Sequence, residues 1–295
     1  MKTLAMFTKN RENPAYAAAR LGAERVATSM GARVMHYVPV VPDHAGEQQA
    51  LVIDAMAAKP DAVLFVATDA EAMIPSIEKL NAAGIPVFSF VNRLQGGTWV
   101  SHAGSDDIAL AQNIADYLFL NITKQGRVLV MEGTPGSISG RDRMTGFKEA
   151  FAAHPNITRA ADVHGEFLQS AARREMERVL ASGLAFDAIL AANDAMALGA
   201  IDALEAAGQK LPPIVGVNAV PDAIAAIQAG KLLATASFDA MKMACLAAEA
   251  ALRYLNGENV PREITLPVEI VDRNNCVAWD KPFEQRELPQ WECCL

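Results

Sequence analysis

A chain of 295 residues is long for one hydrophobic core and fits a pair of ordinary domains. Its 26 Lys and Arg stand against 34 Asp and Glu, a formal charge of −8, which argues against a partner held by phosphate neutralisation, nucleic acid above all. No run is long enough to cross a bilayer, and residues 1–8 lack a basic start with an apolar signal segment, so the chain is expected to be cytoplasmic or to have had a signal trimmed.

In chain order, apolar runs predict strands and amphipathic runs predict helices in near-strict alternation. Leu4–Phe7 leads to a helix over about 15–29, Ala32–Tyr37 to one over 45–58, and Ala62–Val66 to one over 71–83. Val87–Phe90 follows the helix-ending Gly84-Ile85-Pro86 and precedes a helix over 106–122. Then come Val128–Met131 with 139–152, a helix over 169–181, Ala188–Ala191 with 195–206, Ile214–Val217 with 220–229, and a long helix over 240–255. Repeated βα winding of this kind makes parallel sheets with helices on both faces. Chain crossings are expected at Ala103–Asp107, at Ala236–Asp239, where an apolar strand hands over to the long helix, and near Leu266-Pro267. They divide the chain into an N-terminal lobe of 1–105 plus 238–266 and a C-terminal lobe of 106–237 plus 267–295. The fold class is α/β, two Rossmann-like lobes joined by a multi-strand hinge. Residues 273–295, with Trp279, Pro282, Phe283, Pro289 and Trp291 irregularly spaced among charges, read as an extended tail laid over a lobe.

The sequence offers little for catalysis. Cys245, Cys276, Cys293 and Cys294 show neither metal-ligand spacing nor a small disulfide framework, and Cys245 reads as a small hydrophobe on a helix. The histidines His36, His44, His102, His154 and His164 show no metal spacing either. His102, near Ser101, Asp106 and Asp107, lies in no nucleophile elbow and reads as structural. Gly133–Gly140 follows a strand and precedes a helix but lacks the Gly-Lys-Ser/Thr ending of a phosphate loop. No metal or cofactor is expected.

The chemistry-bearing signal lies at strand ends. In open α/β sheets the ligand crevice is found there, and Asn193-Asp194 stands where an apolar run stops and a helix begins. Five segments occur in order: Asn13-Pro14-Ala15-Tyr16, Pro86-Val87-Phe88-Ser89-Phe90-Val91-Asn92-Arg93, Gly140-Arg141-Asp142-Arg143-Met144-Thr145-Gly146-Phe147, Asn193–Ala200 and Val215–Asp222. Over residues 3 to 272 the chain resembles the type I periplasmic sugar-binding proteins, especially the ribose- and arabinose-binding group, and more distantly the effector domains of the lactose-repressor family.

The resemblance implies a solute-binding component of an ATP-driven importer, monomeric and periplasmic, that captures a sugar or polyol between its lobes and delivers it to a membrane permease. A sugar alternates hydroxyls that donate and accept with apolar C–H faces, so its site needs Arg and Asn at the edges and aromatics on the faces. The implied contacts are Lys9, Asn13, Tyr16, Asn92, Arg93, Arg143, Phe167, Asn193, Asn218 and Phe238. Ribose-binding relatives carry an Asp-Arg pair where this chain has Asn92 and Arg93, an aromatic where it has Ala15, an Asp at Asn218 and a Gln at Phe238. Lys9 and Asn218 are similar to the arabinose-binding pattern. Asn193 is expected to face the sugar and Asp194 to cap the helix, while Arg141 reads as solvated. With Asn at 92 and 218, the cations Lys9, Arg93 and Arg143 need either other acids, such as Asp239 or Glu12, or an acidic sugar. A neutral sugar or polyol is the main reading. A cytoplasmic sugar-responsive regulator is the alternative function, and its DNA-binding helix-turn-helix would precede the first strand, which here starts almost at once.

Overall fold

The computed structural model describes residues 1–123 and 125–294. The chain opens with β1 (Thr3–Phe7), α1 (Pro14–Ser29), β2 (Arg33–Tyr37), α2 (Ala45–Ala57), β3 (Ala62–Phe65), α3 (Ile74–Ala82), β4 (Val87–Phe90) and β5 (Ser101–Gly104). It continues through α4 (Asp107–Asn121), β6 (Gly126–Glu132), α5 (Ile138–Ala153), β7 (Ile157–His164), α6 (Gln169–Ser182), β8 (Ala188–Ala191), α7 (Asp194–Ala206), β9 (Ile214–Val217), α8 (Pro221–Gln228) and β10 (Ala234–Ala236). Last come α9 (Ala240–Leu255), β11 (Glu263–Thr265), β12 (Ile270–Asp272) and three short 3-10 turns.

Two compact units result. Unit 1 comprises residues 1–105, 239–267 and 283–294, and unit 2 comprises 106–238 and 268–282. The final segment thus packs with unit 1, where the sequence reading had placed it with the second lobe, and the boundary residues Phe238 and Pro267 also change sides. The reason is specific anchoring. Arg25 of α1 donates through Nη1 to the carbonyls of Arg286 (2.7 Å) and Phe283 (3.4 Å), and buried Trp291 lies with its ring centroid 5.1 Å from the Arg253 guanidinium. Residues 268–282 stay with unit 2 because β12 pairs antiparallel with β10 and Gln228 binds Asp280 at 3.0 Å.

Each unit carries a six-stranded sheet, and the two orders match. Unit 1 runs β11-β5-β4-β3-β1-β2, all parallel, and unit 2 runs β12-β10-β9-β8-β6-β7, parallel apart from β12. In both, the first strand of the unit lies between the second and the third, which is the topological switch point where such sheets take ligands at their carboxyl ends. Central strands β1, β3, β4, β8 and β9 are buried throughout, as their largely apolar sequences require. β7 is a half-exposed edge whose polar residues hide it from an apolar-run reading, and β5, β11 and β12 are only three or four residues long. α3 starts at Ile74 and not near 71, because the Asp69 carboxylate takes up the Glu71 and Ala72 amides in a turn before it.

Helix caps fix the strand ends. Asn13, Asp106, Ser137, Asn193 and Asp239 each follow a strand's carboxyl end and accept a backbone N–H from the first turn of the next helix. Polar side chains are thereby gathered where the switch-point rule puts the ligand.

Candidate functional site

In unit 2 the site is built around Arg143. It projects from α5 and is buried, with Nε donating to Asp107 Oδ1 at 2.7 Å and Nη1 to the Ala192 carbonyl at 2.6 Å. The Asp107 Oδ2 also accepts from Ser139 Oγ at 3.2 Å. Two aromatic rings face the guanidinium, Phe238 with its centroid at 4.7 Å and Phe167 at 5.8 Å. Burial pushes the Asp107 carboxyl above its ordinary pKa, while the charge and hydrogen bond of Arg143 pull it back down. Asp106 caps α4, accepting from the Ile108 and Ala109 amides. Asp107, one residue on, points to Arg143, a partner that sequence reasoning missed.

Phe167 is held by three devices. Glu166 and Phe167 both adopt left-handed backbone, with φ of 55° and 59°. The Phe167 ring lies over Gly133, where a Cβ would come within 2.0 Å of Cζ, so only a glycine admits the ring there. Asn193 Nδ2 donates to the Phe167 carbonyl at 3.0 Å, while its Oδ1 accepts from Met196 N at 2.9 Å. Asn193 is therefore the cap of α7, a role the sequence reading had given to Asp194. Asp194 is fully buried and binds instead to Thr235 of β10 and to the Val220 amide. Asn218 follows β9 with φ of 126°, its N–H donating to the Ala236 carbonyl at 2.9 Å, and Ala219 follows with φ of 52°. Unit 2 thus brings together Arg143, Phe167, Asn193 and Phe238 in one contact set, with Asn218 at the neighbouring strand end.

Unit 1 places its group at the carboxyl ends of β1 and β4. Lys9 and Asn13 are buried, and Tyr16 lies 9 % exposed in the first turn of α1. Asn10 ties the segment down: its Oδ1 accepts from Asn13 N at 2.9 Å and its Nδ2 donates to Asp43 Oδ1 at 3.1 Å. Asn13 Oδ1 then caps α1 through the Ala15 amide at 3.0 Å. Asn92, 1 % exposed, closes a γ-turn, its N–H reaching the Phe90 carbonyl at 2.7 Å across Val91, whose φ is 64°. A β-branched residue in that region is a backbone outlier of the kind that clusters at functional sites.

Arg93 does not join this buried group. Its side chain is 55 % exposed and pairs with Glu263 at 2.9 Å. Two of the three cations meet other acids, Arg143 with Asp107 and Arg93 with Glu263, but not the Asp239 named from the sequence, which caps α9 and leans toward Lys242 at 4.0 Å. His102 is buried in β5 with Ser89 Oγ 2.8 Å from its Nδ1. Burial, helped by the Arg93 charge, lowers its pKa to about 4, so it is neutral at ordinary pH. Among the described residues no cluster of three or more His, Cys, Asp and Glu forms a metal site, and Cys245 is buried on α9 as a small hydrophobe.

Residues 4–259 match the family model of the periplasmic binding protein domain. The chain belongs to the periplasmic binding protein family. This periplasmic binding protein is 28 % identical over 272 residues to the ribose import binding protein of Escherichia coli, with 91 % of this chain and 90 % of the relative covered. Among solved structures it is similar to an ABC transporter periplasmic solute binding protein from Actinobacillus succinogenes with bound D-allose. There the TM-score is 0.87 and the identity 28 %, covering 94 % of this chain and all (100 %) of the other. A Bacillus halodurans solute binding protein with bound myo-inositol gives a TM-score of 0.87 at 26 % identity, over 95 % and 97 % of the two chains. The relatives support a type I sugar-binding protein, a non-enzymatic binder of the class that serves ABC importers.

Proposed function

We propose that the chain captures a neutral monosaccharide or polyol in the periplasm and delivers it to the permease of an ABC importer. The buried Arg143 carries this reading. Its positive charge is already met by Asp107 at 2.7 Å, so its further donors serve an uncharged hydroxyl without needing a negative ligand. The rings of Phe167 and Phe238 beside it suit the C–H faces of a sugar. We assign ligand contact in unit 2 to Arg143, Phe167, Asn193, Asn218 and Phe238, and in unit 1 to Lys9, Asn13, Tyr16 and Asn92. Arg93, exposed and paired with Glu263, is assigned a minor part. Capture requires only that ligand favour one of two conformations, with no bond made or broken.

Calorimetric titration with D-ribose, D-allose, myo-inositol, D-gluconate and D-glucuronate tests the reading. Micromolar binding of a neutral member, equivalent to about 8 kcal/mol, is the expected result. Binding confined to the two acids would overturn neutrality, and no binding by any member would count against the whole assignment. Delivery is checked separately, by loss of uptake of the identified sugar on deletion of the gene and its return on complementation.

A further inference from the structure

Unit 2 holds a second buried carboxylate outside the proposed contact set. Asp194 is the first residue of α7, yet neither of its oxygens caps that helix. Oδ1 accepts from Thr235 Oγ1 at 2.6 Å, and Oδ2 accepts from Val220 N at 3.0 Å, just ahead of α8. Thr235 Oγ1 in turn accepts from Ala219 N at 3.3 Å. The carboxylate and the hydroxyl it orients therefore take up the two amides that directly follow Asn218. Those are the amides of a strained turn, since φ is 126° at Asn218 and 52° at Ala219, and neither residue is glycine. Non-glycine residues keep such conformations only where their surroundings over-determine them. β9 makes room for the arrangement, because a Cβ on Gly216 would come within 2.4 Å of Asp194 Oδ1.

We propose that Asp194 is a positioning residue of the sugar site: its ionised carboxylate holds the Asn218–Ala219 turn in left-handed backbone and so places the Asn218 side chain. The proposal rests on the reading of Asn218 as a ligand contact. It makes affinity depend on the charge of a residue that need not touch the ligand. The groups that face Asp194 are Thr235 from β10, the Ala219 and Val220 amides ahead of α8, and Arg143 from α5, itself paired with Asp107 of α4. Burial raises the Asp194 pKa to about 6, against the pull of Thr235, Val220 and Arg143. Protonation removes the charge from both hydrogen bonds, and the new O–H needs an acceptor where Thr235 is already donating. The turn therefore loosens as pH falls through about 6. Fold stability moves the other way. A folded pKa raised above the ordinary carboxylate value of 3.8 means that the folded chain holds this proton more firmly than the unfolded one. The contribution of Asp194 to stability is therefore greatest at acid pH and declines as pH rises from 3.8 to about 6.

The test begins without sugar. Amide hydrogen exchange on the full ligand-free chain, corrected for intrinsic rates, is followed from pH 5 to pH 7.5 at Ala219 and Val220, with Leu190 in β8 as reference. Relative to Leu190, wild-type protection should rise about tenfold with a midpoint near the value of 6. Asp194→Asn, which keeps an acceptor oxygen but no charge, should be flat and should melt at pH 7.5 no lower than wild type. A flat wild-type profile, or an unchanged pH dependence in Asp194→Asn, overturns the proposal. If that variant does not fold, the wild-type series still decides. The second arm titrates D-ribose, D-allose and myo-inositol. For any that binds wild type at pH 7.5, Asp194→Asn at that pH and wild type at pH 5 should both bind about tenfold more weakly, a loss of about 1.4 kcal/mol. Undiminished binding in both overturns the positioning role. Failure of all three sugars to bind wild type counts against the functional reading, while the exchange arm still judges Asp194.

Discussion

The two units share a strand order but furnish their strand ends differently. In unit 2 the polar groups are bound to one another before any ligand arrives: Arg143 to Asp107, Asn193 to the Phe167 carbonyl, Asp194 to Thr235 and Val220. In unit 1 turns, a helix cap and the Asn10–Asp43 bond set the strand-end group, and its nearby arginine, Arg93, lies half in solvent on a surface ion pair. A shared topology fixes where a site lies, and the long-range polar network determines how rigid it is. Rigid groups lose less freedom on binding, so substitutions in unit 2 should cost more affinity than those in unit 1.

The largest expected effect comes from Arg143→Met, which leaves Asp107 buried without its cation. Denaturant unfolding should show a loss of about 3–5 kcal/mol, and a double variant with Asp107→Leu should recover most of the stability but none of the sugar affinity. Full recovery of affinity in the double variant would show that the ion pair is scaffolding alone. Next in size is a pH effect in unit 1. The folded pKa of His102 is lowered from 6.5 to about 4, so the unfolded chain takes up the proton first. The contribution of His102 is fully present above pH 6.5 and is lost as pH falls toward 4, an amplitude on the order of 3 kcal/mol. Its sign is opposite to that of Asp194 in unit 2, and unfolding of His102→Asn across the same pH range should show a flatter profile.

Asn193→Ala removes the α7 cap and the bond to Phe167 together, and chemical unfolding should register a loss of about 1–2 kcal/mol. A larger affinity loss than in Asn13→Ala, which also loses a cap, would support the contrast between the units. The smallest effect belongs to Arg93→Gln. Its partner is exposed, so stability should fall by less than about 1 kcal/mol, and affinity for a neutral sugar should change by less than about threefold. A tenfold loss in titration would move Arg93 into the contact set and make the units alike.

Much of this was legible in the residues. Strands buried on both faces announce themselves as apolar runs, and Arg143 stood out within its motif. The misread pair is Asn193-Asp194. Both residue types cap helices equally well, and what separates them is Thr235 on β10, which no local pattern contains. Asp107 was hidden in the same way, because its partner Arg143 lies on another helix. The short strand β5 is defined by pairing with β4 and β11, and β11 by pairing with β5, so their few residues carry little signal alone. The tail is the clearest case: its composition predicts an irregular segment, but the carbonyls that Arg25 selects decide which unit it joins.

The chain passes between units four times, and this orders its assembly in time. Unit 1 starts first, yet β5 waits for β11, with His102 aligned to Glu263, 161 residues later by their numbers. At ribosomal rates of about 5–20 residues per second, that edge stays open for on the order of ten seconds or more. Unit 2 then still lacks residues 268–282 with β12, and unit 1 is completed only by the segment from Phe283 onward, so the domain begun first is the domain finished last. A newborn chain thus carries an unsealed sheet edge, a natural point of engagement for chaperones.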